Sequence, residues 1–247
     1  MKIPAVRASI VVGLFGLWEL LSRTGLVNPR LLPPASDVLA TLWDILQRPA
    51  VHADLVTTAL EALVAFAISV PVSVLIGLVL AESRYLGDTL KPLFFFIFSV
   101  PKSIFLPMFI LVFGITFYEK VAFGVFSTIF ILIMSTTAAV DSVRAEHVTA
   151  AHSFGATRAQ IIRRVYLPSM LPVLLEALRL AMIFNFTGVI LAEMYASRNG
   201  LGHLISDWGE NFMLRQLLAG VLLVSAIAIA FNESIRWVEK RCGHWRT

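Results

Sequence analysis

The sequence predicts an all-α membrane protein with about six transmembrane helices, and three observations support this fold class. Apolar residues make up 58% of the 247 residues and charged residues only 15%, whereas an average soluble chain is about 45–50% apolar and about 25% charged. The apolar residues are concentrated in runs of the roughly 20 residues that a helix needs to cross a bilayer. The charged residues flank these runs.

Six apolar runs have a length suited to a membrane-spanning helix. They cover about residues 6–22, 57–81, 90–114, 121–140, 170–192 and 216–236. Because these runs account for most of the chain, we expect one transmembrane domain over residues 1–247 and no separate soluble domain. The first run follows Lys2 and Arg7, as in a secretory signal, but no small-x-small cleavage site follows it. We therefore expect a retained helix there.

The distribution of Lys and Arg predicts which side of the membrane each loop faces, because cytoplasmic loops carry an excess of these residues. With the N-terminus inside, twelve of the 20 Lys and Arg residues fall in cytoplasmic segments and six in external ones, Lys120 among the latter. We therefore expect both termini and the polar segment of about residues 141–169 in the cytoplasm. The charges form no basic stripe, so we expect no nucleic-acid partner.

The polar segment between the fourth and fifth runs predicts two short helices. The first covers about residues 143–154 and ends at Gly155, because glycine tolerates the left-handed conformation that often follows a helix. Thr157-Arg-Ala-Gln160 matches a capping box, which predicts the start of the second helix. We expect a further helix to begin near Pro168. The apolar side of the second helix consists of Ile161, Ile162 and Val165.

The residues of this segment leave two interpretations open. A rigid two-helix elbow in water is suited to receive a soluble partner and to pass a rigid-body movement into the membrane helices. Alternatively, the segment is a plain cytoplasmic loop that contains a capped helix.

This segment also resembles the signature loop of permease subunits of binding-protein-dependent ABC importers. The family pattern is Glu-Ala-Ala, three residues, Gly, nine residues, Ile, one residue and Leu-Pro. Here Thr149-Ala150-Ala151, Gly155 and Val165-x-Leu167-Pro168 have the same spacing, with Thr in place of Glu and Val in place of Ile. The change at Thr149 leaves no carboxylate for any ionic contact that the family's glutamate makes.

Three further segments are similar to one branch of that family, the permeases for sulfonates, taurine, nitrate and related small solutes. They are Val100–Gly114, Leu191–Ile205 and Leu31–Ser36. The resemblance covers nearly the whole chain. It implies a type I ABC importer permease fold, with a cytoplasmic coupling helix in the loop of about residues 141–169 and a permease core of about residues 57–238.

The resemblance also implies the function and the partners. The chain is expected to form the translocation path for a small solute, an anion such as a sulfonate, nitrate or carboxylate. Its expected partners are a second permease copy, two cytoplasmic ATPase subunits and an extracytoplasmic solute-binding protein, in the inner membrane of a bacterial cell. The residues implied to couple to the ATPase are Thr149, Ala150, Ala151, His152, Gly155, Ala156, Arg158, Val165, Leu167 and Pro168.

The sequence contains no nucleotide-binding or catalytic motif. No glycine directly precedes a lysine, so no G-x-x-x-x-G-K-[ST] loop exists. Neither H-E-x-x-H nor G-x-S-x-G is present. The single cysteine and the scattered histidines predict no metal site. We therefore expect a transport subunit with no catalytic residue and no cofactor of its own, and we expect ATP and Mg to bind to partner ATPase subunits.

Polar groups inside the apolar runs are the candidates for a solute pathway, because a charge at the centre of a bilayer costs roughly 2.5–3.5 kcal/mol. Lys102 follows Pro101, which frees a backbone carbonyl and can break a helix so that it lines a path. Alternatively, Lys102 snorkels or pairs with a carboxylate. Asn185 is a candidate for the pathway or for hydrogen bonds between helices. Glu193 is a candidate gate or a solvated helix end.

Glu176 and Arg179 are three residues apart, a spacing that favours a structural ion pair on one helix face. Together with Lys102 they leave open a different class of protein, a self-contained secondary transporter that uses intramembrane charges for coupling. Transport that persists without an ATPase partner would favour this alternative. A membrane-embedded enzyme would require a catalytic constellation, and the sequence contains none.

Overall fold

The computed structural model describes the backbone of residues 3–242 and the side chains of residues 6–237, and every regular element in this part is helical. The predicted all-α class is confirmed. A 3₁₀ turn (Lys102–Phe105) precedes the fifth helix and a π-helical turn (Ile162–Tyr166) follows the eighth. The helices are α1 (Ile3–Arg23), α2 (Ala35–Leu46), α3 (Pro49–Glu82), α4 (Arg84–Ser99), α5 (Leu106–Phe113), α6 (Phe117–Asp141), α7 (Ala145–Ser153), α8 (Arg158–Ile161), α9 (Leu167–Tyr195), α10 (Leu201–Glu210) and α11 (Leu214–Cys242).

Four helical segments of the described residues are long and apolar enough to cross a membrane, and a bent pair adds a fifth. The four are Pro49–Glu82, Phe117–Asp141, Arg158–Tyr195 and Leu214–Trp237. The first predicted run lies within α1, which carries Arg7, Glu19 and Arg23 among its 21 residues. Because of these three charges, α1 is less apolar than the four membrane-spanning candidates. Its role as a sixth transmembrane helix stays a prediction.

The bent pair corresponds to the predicted run at residues 90–114. Its two parts, α4 and Lys102–Phe113, meet at an angle of 88°. Val100 and Pro101 between them have extended backbone, because a proline disfavours helical conformation in the preceding residue and donates no backbone hydrogen bond. The break that Pro101 predicts within this run is therefore present.

The described residues pack as two compact units. The first comprises the described residues up to Thr58 together with Glu193–Ile227, and the second comprises Ala59–Ala192 and the described residues from Ala228 onward. The boundaries fall within α3, α9 and α11, so neither unit is continuous in sequence. The single transmembrane domain over residues 1–247 stays a prediction.

In the second unit, α6 is buried along most of its length. Glycines allow it to approach its neighbours closely, as is common where membrane helices pack. A Cβ atom on Gly124 of α6 would lie 2.9 Å from side-chain carbons of both Ala65 and Val189. A Cβ atom on Gly77 would lie 2.6 Å from the Cβ of Thr136. These contacts place α6 between α3 and α9.

In the first unit, polar contacts hold the segment between α1 and α2. Ser22 Oγ donates a hydrogen bond to the carbonyl of Leu32 at 2.7 Å, and Trp18 Nε1 donates to the carbonyl of Pro33 at 3.0 Å. Val38 and Ile45 on α2 are fully buried. The segment therefore packs on α1 although it has no regular structure.

Candidate functional site

The polar segment folds as a two-helix elbow, defined here as residues 145–161. Where α7 ends, Gly155 has a φ of +73°. Its N–H donates to the carbonyl of His152 at 2.9 Å, and the N–H of Ala156 donates to the carbonyl of Ala151 at 3.0 Å. This pair of bonds is a Schellman motif, which requires a left-handed residue where glycine stands. The prediction that Gly155 ends the helix is confirmed.

The second half of the elbow begins with the predicted capping box. Thr157 Oγ1 accepts a hydrogen bond from the N–H of Gln160 at 3.4 Å, and the N–H of Thr157 donates to Gln160 Oε1 at 2.9 Å. Only Ala156 separates the Schellman glycine from this cap, so the chain turns sharply between two defined helix ends. The elbow therefore has a specified shape and is not an irregular loop.

The expected helix near Pro168 is present as α9, which starts at Leu167, but no break separates it from the helical turns before it. α8 continues through the π-helical turn into α9, and the helical path runs from Arg158 to Tyr195. Pro168 has no N–H to donate to the preceding turn, and directly before it the N–H of Leu167 donates to the carbonyl of Ile162, five residues earlier, which closes the π turn. A movement of α8 is therefore passed directly to α9.

The predicted apolar side of the second helix is partly correct. Ile161 is buried and Val165 is half-buried, but Ile162 is largely exposed. Adjacent residues on a helix point about 100° apart, so Ile161 and Ile162 cannot both face the core. An ion pair between Arg158 and Glu82 at the end of α3 adds a link from the elbow to the rest of the second unit. Such exposed pairs orient the segment more than they stabilise it.

The outer face of the elbow is open. Thr149, Ala150, His152 and Gly155 are exposed, and Ala151 and Ala156 are half-buried. Leu167 is exposed, whereas Val165 and Pro168 are half-buried.

Phe154 is a residue that the sequence reasoning missed, with 91% of its surface exposed. It occupies the position between the last residue of α7 and the Schellman glycine. The sequence signal that could have revealed it is a large aromatic residue directly before the glycine that ends a helix. At this turn the side chain of Phe154 projects into solvent. Aromatic side chains are enriched at the centres of protein interfaces.

Lys102 lies in the bent segment and is half-buried. Its Nζ donates to the carbonyl of Phe98 at 3.1 Å and lies 4.5 Å from the centroid of the Phe98 ring and 5.8 Å from that of Phe184. Among the described residues no carboxylate forms an ion pair with it. The freed carbonyl at the end of α4 and the aromatic faces therefore take the place of a counter-ion. A contact of Lys102 with solute stays a prediction, as does the pathway role of the exposed Pro101.

Asn185 is fully buried in α9. Its Nδ2 donates to the carbonyl of Ala62 on α3 at 2.7 Å, and its Oδ1 has no hydrogen-bond partner among the described residues. Its donor thus joins two helices, which favours the packing alternative. A role of Asn185 in the pathway stays a prediction.

Glu193 is also fully buried, so the interpretation as a solvated helix end is wrong. Its Oε1 accepts a hydrogen bond from Thr58 Oγ1 at 2.6 Å, and its Oε2 accepts from the N–H of Gly202 at 2.8 Å. The chain after α9 turns back at Gly200, so that the N-terminus of α10 meets the end of α9. The carboxylate therefore caps the positive end of a helix.

Two further backbone N–H groups at the start of α10 also donate hydrogen bonds to side-chain oxygens. The N–H of Gly200 donates to Asp54 Oδ1 at 2.7 Å, and the N–H of Leu201 donates to Thr58 Oγ1 at 2.9 Å. Gly200 has a φ of +102°, and a Cβ there would collide with the Glu193 carboxylate. We call Asp54, Thr58, Glu193 and residues 200–202 the polar knot. Asp54 and Thr58 were not predicted, although their spacing of four places them on one face of α3.

Lys120 was predicted in an external segment before the fourth helix, and its place outside that helix is wrong, whereas the external side stays a prediction. α6 begins at Phe117, four residues before the predicted run, so Lys120 lies in its first turn and is buried together with Glu119. Lys120 Nζ donates to the carbonyl of Thr116 at 3.1 Å and lies 3.6 Å from Glu119 Oε2. The pair was not predicted because we expected the helix to begin where the apolar run begins, at about residue 121, and α6 begins at Phe117.

The elbow and the fold can be compared with known proteins. A family profile described as the binding-protein-dependent transport system inner membrane component matches residues 70–244. The chain belongs to this family. It is a membrane-spanning permease subunit of an ABC importer, a kind of subunit that has no ATPase site of its own. The resemblance indicated by the loop pattern is confirmed.

Three relatives illustrate the range of the family. The permease is 30% identical to a taurine transport system permease protein of Escherichia coli strain K12, covering 94% of this chain and 86% of that protein. It is 22% identical to a putative aliphatic sulfonates transport permease protein of Bacillus subtilis strain 168, with coverages of 94% and 84%. It is 25% identical to a formylaminopyrimidine transport permease protein of Halalkalibacterium halodurans, with coverages of 93% and 91%.

The fold is that of a solved ABC transporter chain. A chain from an inward-facing methionine ABC transporter superposes with a TM-score of 0.57 at 22% identity, covering 76% of the permease and 94% of that chain. A second crystal form of the same transporter gives a TM-score of 0.58. The predicted importer-permease fold is therefore confirmed.

Proposed function

We propose that this permease imports a small sulfonate or a related small anion, and that separate ATPase subunits drive it through the elbow. The elbow geometry carries the proposal. A Schellman motif and a capping box define the shape of an exposed two-helix element, and the exposed Phe154 provides an aromatic anchor for a partner surface. The relatives that handle taurine and aliphatic sulfonates support the solute class.

The mechanical basis of the coupling is the continuous helical path from Arg158 to Tyr195. At 1.5 Å per residue its 38 residues extend over roughly 57 Å. Closure of the ATPase subunits would displace the elbow, and α9 would move with it as a rigid element. This movement would alternate the solute path between its inward-open and outward-open states.

The proposed assembly contains a second copy of the permease, two cytoplasmic ATPase subunits that bind ATP and Mg, and an extracytoplasmic binding protein. Both termini and the elbow lie in the cytoplasm. The excess of Lys and Arg in the segments on that side supports this orientation, and the description of the family as binding-protein-dependent supports the external partner.

Reconstitution tests the function directly. The permease, its ATPase and its binding protein are placed in liposomes, and the uptake of radiolabelled taurine is measured with and without ATP. We expect uptake that requires ATP, the ATPase and the binding protein together. Uptake by the permease alone, driven by an ion gradient, would contradict the proposal and would support a secondary transporter.

Replacing Phe154 by glutamate is expected to weaken the permease–ATPase complex at least tenfold. Truncation of an anchor residue typically costs about 2 kcal/mol or more, and a charge at the same place adds a desolvation cost. Copurification of the ATPase with the tagged permease measures the effect. Phe212→Glu is the matched control, because Phe212 is also a highly exposed phenylalanine in a turn but lies outside the elbow. An equal loss in both variants would argue against an ATPase contact at Phe154.

Replacing Lys102 by methionine is expected to lower the rate of ATP-dependent sulfonate uptake about tenfold. Methionine retains the length of the side chain but removes the charge that would attract an anion. Lys102→Arg is the control that restores the charge, and it is expected to recover most of the uptake. Unchanged uptake of the anion by the methionine variant would exclude Lys102 from the solute path.

A further inference from the structure

A basic groove lies in the second unit where the elbow continues into α9. Its volume is about 350 Å³, and it is lined by Ala159, Gln160, Arg163 and Arg164. The first two of these residues lie four residues before the last two, one helical turn away, so the four share one face. All four are exposed. The small side chain of Ala159 leaves open space between the longer ones.

The two guanidinium groups of the groove are not paired with carboxylates of the described residues, whereas the neighbouring Arg158 forms an ion pair with Glu82. Gln160 Oε1 accepts the N–H of Thr157 in the capping box, which holds the side chain in place and leaves its Nε2 group as a further donor. The groove therefore concentrates positive charge and hydrogen-bond donors. Arginine forks of this kind bind phosphate oxygens in parallel hydrogen bonds.

Both arginines belong to the π-helical turn (Ile162–Tyr166). Such turns interrupt the regular helix, and they are frequent at functional sites. This one is also the joint through which a movement of the elbow reaches α9. A ligand held by Arg163 and Arg164 would therefore bind at the joint itself.

The length of α9 places the groove at the level of lipid headgroups. The apolar run of residues 170–192 extends over roughly 33 Å at 1.5 Å per residue, close to the roughly 30 Å of the hydrocarbon core. Arg164 precedes this run by six residues, a distance of roughly 9 Å along the helix axis. The headgroup region on each side of the core is about 5–8 Å thick, and the long side chain of arginine reaches it.

Exposed apolar side chains continue this surface. Leu167 follows Arg163 by four residues, one turn closer to the apolar run, and is 48% exposed. Ile162, the neighbour of Arg163 in the π turn, is 47% exposed. A phosphate bound by the arginines would have these apolar side chains beside it, where the acyl chains of a phospholipid lie. This combination favours a lipid over an acidic protein surface.

We infer that the groove is a binding site for the headgroup of an anionic phospholipid, with Arg163 and Arg164 binding its phosphate and Leu167 contacting an acyl chain. Basic residues directly next to a membrane helix are typical of such sites. The bound lipid would hold the joint between the elbow and α9 at the membrane surface while the elbow moves. The inference goes beyond the proposed function, because it depends neither on the solute nor on the ATPase.

Native mass spectrometry of the purified full-length permease tests the inference, with phosphatidylglycerol and phosphatidylcholine as the two probes. The wild type is expected to bind phosphatidylglycerol at least tenfold more tightly than phosphatidylcholine. Arg163→Gln combined with Arg164→Gln is expected to weaken phosphatidylglycerol binding at least tenfold. Arg30→Gln combined with Arg48→Gln is the matched control, because it removes the same charge from two exposed residues of the first unit. We expect it to bind phosphatidylglycerol within twofold of the wild type.

A second variant keeps the test decisive if the loss of both arginines prevents folding. Ala159→Phe retains the charges but fills the groove, and it is expected to weaken phosphatidylglycerol binding about fivefold. Equal binding of the two lipids by the wild type, or undiminished phosphatidylglycerol binding by the groove variants, would overturn the inference.

Two other ligands of the arginines are also distinguished. Displacement of phosphatidylglycerol by millimolar glycerol phosphate would show that the groove binds a free phosphate, and it would overturn the lipid assignment. Loss of ATPase copurification by the double glutamine variant, with normal phosphatidylglycerol binding, would assign the arginines to the ATPase contact and would overturn it as well.

Discussion

Replacing Gly155 by valine is expected to lower ATP-dependent import at least tenfold while the permease still folds in the membrane. Gly155 has a φ of +73°, a conformation that is unfavourable for a β-branched residue and costs such residues about 1–3 kcal/mol. The chain can relieve this strain only by giving up the two hydrogen bonds that end α7. The elbow would then lose its shape, and the movement of the ATPase would no longer reach α9. Uptake by reconstituted liposomes and the ATPase rate of the same complex measure the loss of coupling.

Gly25 supplies a matched control for this experiment. It has the same φ of +73°, and the space around its missing Cβ is open, as it is at Gly155. Gly25→Val therefore introduces the same backbone strain in the loop after α1, far along the chain from the elbow. We expect it to retain most of the import activity. Equal losses in the two variants would show that backbone strain, and not the elbow, limits transport.

Replacing Glu193 by alanine is expected to destabilise the permease by about 3 kcal/mol. The carboxylate accepts hydrogen bonds from Thr58 Oγ1 and from the N–H of Gly202, and its removal leaves both donors buried without that partner. Each unsatisfied buried donor costs about 1–3 kcal/mol. For a protein of this size the loss corresponds to a decrease in melting temperature of roughly 6–12 °C. Thermal unfolding of the detergent-solubilised permease measures it.

Glu210→Ala serves as the comparison for this effect. Glu210 lies at the other end of α10, is exposed and accepts a hydrogen bond from Ser206 one turn away. Surface changes of this kind typically alter stability by less than about 0.5 kcal/mol. A melting temperature of Glu193→Ala within one degree of that of Glu210→Ala would show that the polar knot does not hold α10 in place.

The elbow was predictable because its determinants are local. α7 ends where the N–H of Gly155 donates to the carbonyl three residues earlier and the N–H of Ala156 donates to the carbonyl five residues earlier. Thr157 and Gln160 satisfy each other's backbone groups within one turn. Such patterns can be recognised in a short stretch of sequence. The polar knot was not predictable in this way. Thr58 and Glu193 are 135 residues apart, and Glu193 at the end of an apolar run has the pattern of an ordinary solvated helix end.

The sequence by itself determined the helical membrane class, the family of the protein and the shape of its elbow. Helix length, left-handed glycine and helix capping depend on neighbouring residues, so they are readable without a fold. Only the tertiary structure decided that Glu193 caps α10 and that α8 continues into α9. The Glu193 contact depends on which helix faces meet, and hydrophobic periodicity does not specify the partners of a helix whose whole surface is apolar. The path from α8 into α9 depends on the backbone geometry of the π turn, which the residue pattern does not reveal.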